Sequence, residues 1–316
     1  MKYIESFREG EKVAGVYLCK MRRSAVTKNG KAYDNVLLQD KTGTIDAKIW
    51  EPNSGGIDDF EALDYVEIVG DVTVFNNMMQ LNIKRAMKAY EGQYDPKDYL
   101  PVSEKDIDEM FKELLGYIVK VENPYLKQLL SDFFVEDKEF IEEFKKHSAA
   151  KSVYHGFVGG LLEHTLAVTK LCDFYTKNYE KLNHDLLITA AMCHDIGKVK
   201  EISDFPLNDY TDEGQLLGHI VMGSEMVGEK IKQIPGFPRK LENELKHCIL
   251  SHHGELEFGS PKKPALIEAV ALNFADNTDA KLQAMKEILN GQNAEESGAW
   301  LGYNKLFETN IRESSK

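Results

Sequence analysis

The chain has 316 residues, of which 42% are hydrophobic and 29% are charged, so it can form a core and is not disordered throughout. Its net charge of −13 excludes a protein that binds nucleic acid through a wholly basic surface, but it allows a local basic patch. The apolar runs are too short to span a membrane, and the N-terminal segment lacks the apolar region of a signal peptide. The four cysteines show no CxxC spacing, which is typical of reduced thiols in a cytoplasmic protein.

The first 90 residues have the alternating pattern of short β-strands. The sequence Asp40-Lys41-Thr42-Gly43 predicts a tight turn, and Asn76-Asn77 predicts a hairpin turn. Five short antiparallel strands in this length predict a small β-barrel. The strands are expected near residues 13–18, 33–39, 44–50, 65–75 and 78–83.

Helical periodicity begins after Pro101. Ser103 and Asp106 have the spacing of a capping box, which predicts a helix that ends near Val121. The polar tail after Gly291 is expected to fray. Further helices are expected near residues 125–146, 159–179, 184–196, 214–233, 238–253 and 263–290. The predicted organisation is a barrel over 1–90, a helical connector over 91–150, an all-α bundle over 151–290 and a polar C-terminal tail over 291–316.

Charge also separates the two halves. Residues 1–90 carry 13 basic and 13 acidic side chains, whereas residues 91–316 carry 26 and 39. The barrel is therefore the half in which electrostatics permits binding of a polyanion.

The helical half contains an adjacent histidine and aspartate, His194 and Asp195, in the sequence Met-Cys-His-Asp-Ile-Gly-Lys. Gly197 is expected to end the preceding helix in a left-handed conformation. Adjacent side chains on a helix point about 100° apart, so this pair is poorly arranged to chelate one ion. The histidine can instead bind one metal while the carboxylate bridges to a second. Further candidates in apolar helical surroundings are His164, His219, His252, His253 and Asp276.

A lone histidine or aspartate on an apolar helix is more often a hydrogen-bonded core residue than a ligand. Five histidines and two aspartates in such surroundings would be costly to bury separately, whereas one shared metal site would satisfy all of them. We therefore predict a metal centre.

The order of these residues, H…HD…H…H…D, resembles the HD-domain metal phosphohydrolase superfamily over about residues 150–290. The resemblance implies that one divalent metal is held by His164, His194, Asp195 and Asp276. It also implies a second metal held by His219 and one of His252 or His253, with Asp195 as the bridge, and the sequence does not decide between the last two. Histidine and carboxylate ligands suit Mn²⁺, Fe²⁺, Co²⁺ or Zn²⁺, and the resemblance favours Mn²⁺.

Two metals about 3.5–4 Å apart, bridged by Asp195, can activate water for attack on phosphorus and neutralise the phosphoryl oxygens. Lys198 is a candidate for a cation that binds phosphate, or else a solvated lysine at a helix end. His155 is a candidate for a residue of the substrate channel or a proton donor, or else a simple cap.

The barrel half contains a basic segment without acidic residues between Lys12 and Asp34, which is expected to join the first two strands. Such a run is usually only a solvated surface. The sequence from Tyr33 to Trp50 nevertheless resembles nucleic-acid-binding OB-folds, in which the first loop and the adjacent sheet face bind single strands. The candidate nucleic-acid-binding residues are Lys20, Arg22, Arg23, Lys28, Lys31, Tyr33 and Trp50.

An OB-fold, a helical connector and an HD domain in this order resemble the YhaM family of bacterial 3′–5′ exoribonucleases. The resemblance implies a cytoplasmic enzyme that releases nucleoside monophosphates from single-stranded RNA, or also from single-stranded DNA, and a homo-oligomer is compatible with it. Two alternatives remain open: an HD phosphohydrolase for small nucleotides, and a non-catalytic accessory protein that binds single strands.

Overall fold

The computed structural model describes residues 1–76, 78–151, 155–290 and 298–315. They form two compact units. The first holds Met1–Val102 and Phe205–Leu207, and the second holds Ser103–Asp204 and the chain from Asn208 onward. All four cysteines are buried free thiols, as expected. No helix in the described ranges is long and apolar enough to cross a membrane.

The first unit contains a closed five-stranded barrel, which confirms the predicted OB-fold. Its strand order is β1-β2-β3-β5-β4, with β3 and β5 parallel and the other neighbours antiparallel. Asn77, in the predicted hairpin turn, lies outside the described residues. The strands are β1 (Lys12–Val26), β2 (Ala32–Asp40), β3 (Gly43–Ile49), β4 (Tyr65–Phe75) and β5 (Met78–Lys88).

Alternation of side chains along the strands forms the barrel core. Val36 and Leu38 of β2 and Ile45, Ala47 and Ile49 of β3 are buried, while the residues between them are more exposed. Because successive side chains of a strand point to opposite faces, the outer residues of β2 and β3 share one surface.

Strand β1 is longer than the sequence predicted. It continues to Val26, so only residues 27–31 form the turn to β2, and most of the predicted basic loop is strand. The expectation of a long loop is wrong because pairing with β2 satisfies the backbone of this polar stretch. A β-bulge between Cys19 and Met21 shifts the register of the second half of the strand.

The second unit is helical. The helices from 107 to 146 share one hydrophobic core with those that follow; Leu114, Phe144 and Leu187 are fully buried in it. The helices of the predicted connector therefore lie in the same compact unit as the predicted all-α bundle. The described helices are α1 (Ile107–Lys120), α2 (Pro124–Ser131), α3 (Lys138–Lys146), α4 (Gly160–Asn178), α5 (His184–Cys193), α6 (Lys198–Glu201), α7 (Asp212–Ile231), α8 (Arg239–Leu250) and α9 (Ile267–Asn290).

Two local details differ from the sequence prediction. The capping box is wrong, because the Asp106 side chain itself caps α1 by accepting from the Glu109 amide at 2.9 Å. The Ser103 hydroxyl instead donates to the Glu163 carboxylate at 2.5 Å. The helix expected over 125–146 is interrupted by a π-helical turn at Asp132–Glu136 before α3.

The C-terminal tail also differs from the prediction. Strands β6 (Trp300–Asn304) and β7 (Thr309–Arg312) form an antiparallel hairpin, so fraying is a wrong expectation for these residues. The Asn304 side chain accepts a hydrogen bond from the Leu306 amide at 2.9 Å, which stabilises the turn. Residues 291–297 lie outside the described ranges.

Candidate metal centre and nucleic-acid interface

The predicted metal ligands lie in, or directly after, five helices of the second unit. His164 lies in the second turn of α4, and His194 and Asp195 directly follow α5. Two histidines, His252 and His253, follow α8. The remaining two predicted ligands are His219 in α7 and Asp276 in α9.

Gly197 lets α7 approach the backbone just after His194 and Asp195 closely. The sequence predicted a left-handed residue here, but its φ is −63°, so that expectation is wrong. A Cβ atom at this position would lie 2.1 Å from the carbonyl oxygen of His219. Glycine is therefore required by the contact between two backbones rather than by its own conformation.

The Asp195 carboxylate lies between two groups of ligand atoms. Its Oδ2 is 3.5 Å from His164 Nε2 and 3.6 Å from His194 Nε2. Its Oδ1 is 3.3 Å from His219 Nε2 and 3.6 Å from His252 Nε2. The two oxygens thus face different sets of histidines, which is the arrangement required of a carboxylate that bridges two ions.

Each side of Asp195 has a group of three residues that could hold a metal ion. His164, His194 and Asp276 offer atoms within 4.8 Å of one another, and so do His219, His252 and His253. The sequence left open which of His252 and His253 belongs to the second group. The geometry brings both of them to it.

The other ring nitrogen of each histidine has a partner that orients the ring. Nδ1 of His194 donates to the Ala191 carbonyl at 2.8 Å, and Nδ1 of His252 donates to the Ile249 carbonyl at 2.7 Å. With Nδ1 occupied in this way, the lone pair of Nε2 faces the shared space. Such backing of the distal nitrogen is the usual arrangement of metal-binding histidines.

Three buried polar atoms at this point have no hydrogen-bond partner among the described residues. They are Asp195 Oδ1, His219 Nε2 and His252 Nε2. Leaving such atoms unpaired in a protein interior is costly, and a cation between them would remove the cost. Nitrogen and carboxylate oxygen donors suit a divalent metal, so the residues fit the expected metal site.

The protonation states of His194, His253 and Asp195 suit metal binding. Burial, aided by nearby imidazoles, lowers the pKa of His253 to about 4, and burial likewise lowers that of His194 to about 4, so both rings are neutral near pH 7. Burial alone would raise the pKa of Asp195, but Lys198 and His194 hold it well below its usual range. Neutral imidazole and ionised carboxylate are the forms that bind a metal.

At His164 and His252 the nearby carboxylates instead favour the protonated ring. Burial alone would lower the pKa of His164, but the carboxylates of Asp276 and Asp279 raise it to about 10. Burial would likewise lower the pKa of His252, but Asp195 raises it. A metal would therefore compete with a proton at these two rings.

Lys198 and His155 both lie beside the candidate ligands. They line a cleft of about 470 Å³ together with Asp195, Asp276 and His253. The Lys198 ammonium is 3.4 Å from Asp195 Oδ2 and donates to the Ala149 carbonyl at 2.6 Å, so this lysine is not a solvated helix end.

The environment of His155 favours a neutral ring. Burial, aided by the neighbouring His164, lowers the pKa of His155 to about 4. Its Nε2 lies 3.8 Å from the Asp279 carboxylate. His155 therefore faces the cleft as a neutral imidazole near pH 7.

Two carboxylates that the sequence analysis missed support the ligands. Asp279 Oδ2 accepts from Nδ1 of His164 at 2.7 Å, and Glu201 Oε1 accepts from Nδ1 of His219 at 2.9 Å. Asp279 is three residues after Asp276 on the same helix, and this spacing was the available signal. Each group of donors therefore contains one histidine backed by a carboxylate.

The barrel presents a separate candidate interface on its outer face. Tyr33 of β2 and Trp50, directly after β3, are stacked, with ring centroids 5.2 Å apart and planes at 29°. Trp50 is 44% exposed. Lys48 lies beside this pair, its ammonium 5.5 Å from the Tyr33 ring centroid. Aromatic rings next to a cation form the kind of surface on which nucleobases stack.

The basic residues predicted for this interface divide into two classes. Arg23 is exposed and lies opposite Asn35 of β2. Arg22 instead binds the buried Asp34 carboxylate at 2.8 Å and the Phe60 carbonyl at 2.8 Å, so its charge is compensated inside the barrel. Of the remaining three, Lys20 lies in β1 at the bulge, and Lys28 and Lys31 lie in the turn to β2. All three are exposed, and Lys31 forms an exposed ion pair with Glu51 at 3.5 Å.

Comparison with known proteins agrees with this architecture. Residues 161–281 match the family model described as the HD domain. A 3′-5′ exoribonuclease YhaM from Geobacillus sp. (strain WCH70) is 33% identical over 291 residues, which cover 91% of this chain and 88% of the relative. The protein of the same name from Bacillus velezensis is 35% identical over 283 residues, which cover 89% and 88%.

A solved structure, the HD domain of L. monocytogenes phosphodiesterase PgpH, aligns with 54% of this chain and 87% of its own, at 18% identity and a TM-score of 0.27. The two curated relatives span nearly the whole chain at more than 30% identity. They confirm the family expected from the sequence, and with it an HD hydrolase domain after the barrel. The chain belongs to the YhaM family of 3′–5′ exoribonucleases.

Proposed function

We propose that this protein is a metal-dependent 3′–5′ exoribonuclease that hydrolyses single-stranded RNA to nucleoside monophosphates. The observation that carries the proposal is the Asp195 carboxylate, whose two oxygens face two separate groups of donors beside an open cleft. The names of the curated relatives support the same reaction and direction. Single-stranded DNA is a second substrate to be tested.

The proposed metal site holds two ions. His164, His194 and Asp276 would hold one, His219, His252 and His253 the other, and Asp195 would bridge them. Bound divalent ions supply an activated water and neutralise phosphate charge. Mn²⁺ is the proposed ion, on the grounds of the ligand set and the family resemblance.

The chain's own groups complete the site. The Lys198 ammonium lies close to the bridging carboxylate and faces the cleft, where it can bind a phosphate oxygen. The neutral His155 ring can donate a hydrogen bond to the substrate from the cleft wall. Asp279 holds the His164 ring in position.

The proposed role of the barrel is to hold the RNA strand. The stacked Tyr33 and Trp50 rings offer a surface for bases, and Arg23, Lys28 and Lys31 offer exposed positive charge for phosphates. A cytoplasmic location agrees with the four free thiols. A homo-oligomeric state is part of the proposal and is measurable by analytical ultracentrifugation.

The test is a time course on a 5′-labelled single-stranded RNA of about 20 nucleotides with Mn²⁺. The wild type is compared with Asp195→Ala and with Asp59→Ala, a matched change at an exposed aspartate. We expect a ladder that shortens from the 3′ end with the wild type and the control, and intact RNA with Asp195→Ala.

The two alternatives predict other results. A small-nucleotide hydrolase would leave the RNA intact and cleave mononucleotide substrates in a manner that depends on Asp195. A non-catalytic binding protein would leave both substrates intact and bind the oligonucleotide without metal. Either outcome would overturn the proposal.

A further inference from the structure

One wall of the catalytic cleft carries an exposed aromatic ring. Phe258 lines the cleft and is 64% exposed. Among the described residues, no aromatic ring packs against it. Contact with a ligand would remove the apolar surface of this ring from water, which is favourable.

The backbone that carries this ring is held against one of the candidate metal ligands. Phe258 ends a short 3₁₀ turn, and its carbonyl accepts a hydrogen bond from Nδ1 of His253 at 2.8 Å. Gly259, with φ of 90°, ends the turn in the left-handed conformation that glycine adopts readily. The Phe258 backbone is therefore joined through one hydrogen bond to a histidine of the second donor group.

Another wall of the cleft is polar. Asn273, Asn277 and Lys281 are spaced four residues apart on α9 and line the cleft on one helix face. Asn273 is engaged, since its amide donates to the His252 carbonyl at 2.8 Å. Within the described ranges, no carboxylate forms an ion pair with Lys281, so its charge is available to a ligand.

From these observations we propose that Phe258 and Lys281 form the subsite for the 3′-terminal nucleotide of the RNA. The Phe258 ring stacks on the terminal base, and the Lys281 ammonium binds a phosphate of the same end. The inference rests on the proposed exoribonuclease function. An enzyme that removes every nucleotide in turn needs a contact that accepts all four bases, and stacking on a phenyl ring meets this requirement because every base has a π-face.

The test combines a change in the enzyme with a change in the substrate. Wild type and Phe258→Ala are assayed on one RNA with a normal and with an abasic 3′-terminal nucleotide. We expect Phe258→Ala to lower kcat/KM about 10-fold on the normal RNA and to have little effect on the abasic RNA. The control is Leu256→Ala, an exposed residue of the same turn that does not line the cleft, and it should leave both values unchanged.

Bound metal, measured by elemental analysis, should be the same in all three proteins. An equal loss on both RNAs, or no loss on either, would overturn the stacking role. Intact RNA with the wild type would instead overturn the exoribonuclease function on which the subsite depends. The two failures are therefore distinguishable.

The role of Lys281 has its own measurement. Lys281→Gln should reduce the slope of log kcat/KM against log salt concentration by about 0.7, the value for one phosphate contact on a single strand. Lys181→Gln, at an exposed lysine outside the cleft, is the control. An unchanged slope in Lys281→Gln would overturn the phosphate contact.

Discussion

The barrel and the helical unit keep their polar groups in different places. The barrel exposes its candidate ligand-binding groups, such as Trp50 at 44% and Arg23, at no desolvation cost. The helical unit buries His194 and His252 completely and leaves Asp195 only 3% exposed. Buried polar groups without partners would destabilise the fold, so their presence argues for a ligand, whereas exposed groups are also compatible with plain solvation. The geometry therefore supports the metal site more strongly than the RNA-binding face.

The largest expected effect comes from removal of metal, because the helical unit should lose its activity while the barrel keeps its RNA binding. Treatment with a chelator should lower RNA cleavage at least about 1,000-fold. RNA binding by the barrel, followed by fluorescence anisotropy, should change little. Restoration of cleavage by Mn²⁺ is the control, and undiminished cleavage in the chelator would contradict the metal site.

A smaller effect is expected from the carboxylates that orient the ligands. Asp279→Ala removes the acceptor of His164 Nδ1 and should weaken metal binding about 10- to 100-fold, measured by competition with a metal indicator. Asp279→Asn keeps an oxygen acceptor and should lose less. Equal metal affinity in wild type and Asp279→Ala would show that the hydrogen bond does not position His164.

On the barrel, Trp50→Ala should weaken RNA binding about 10-fold by loss of one stacking surface. The rate of cleavage at saturating RNA should not change, because Trp50 belongs to the barrel and not to the metal site. Tyr90→Ala, at an exposed aromatic residue after β5, serves as the control. A change in the saturated rate without a change in binding would contradict a role in holding the strand.

The smallest effect should distinguish two adjacent arginines. Arg23→Ala should reduce the salt slope of RNA binding by about 0.7, because one phosphate contact is lost. Arg22→Ala should leave that slope unchanged and instead lower the thermal midpoint, because the buried Asp34 loses its positively charged partner. The opposite assignment, with Arg22 controlling the slope, would contradict the register of β1.

The sequence predicted both folds for a clear physical reason, and the residues expected as ligands lie together in the structure. Strand alternation and helical periodicity are local, and His194 and Asp195 are adjacent in the chain. The supporting contacts are not local. Asp279 is 115 residues from His164, and no pattern near either residue indicates that they meet. Only the three-residue spacing of Asp279 from Asp276 on one helix could have indicated its role.

The different environments of Arg22 and Arg23 could likewise not be predicted from the sequence. Which of the two faces outward depends on the β-bulge between Cys19 and Met21, and a bulge is set by pairing with other strands. The absence of acidic residues near Arg22 in the chain was also misleading. Its partner, Asp34, comes from the next strand.

The close contact at Gly197 means that a mutation at this position, which is not a ligand, can change the spacing of the candidate ligands. Its Cα hydrogen faces the His219 carbonyl, and an added methyl group would overlap that oxygen and the Gly223 amide. Even an alanine would therefore push α7 outward and carry His219 away from Asp195, although neither ligand had been altered. The distance between His219 and Asp195 is thus encoded partly by a missing side chain, and a survey of ligand residues alone would overlook it.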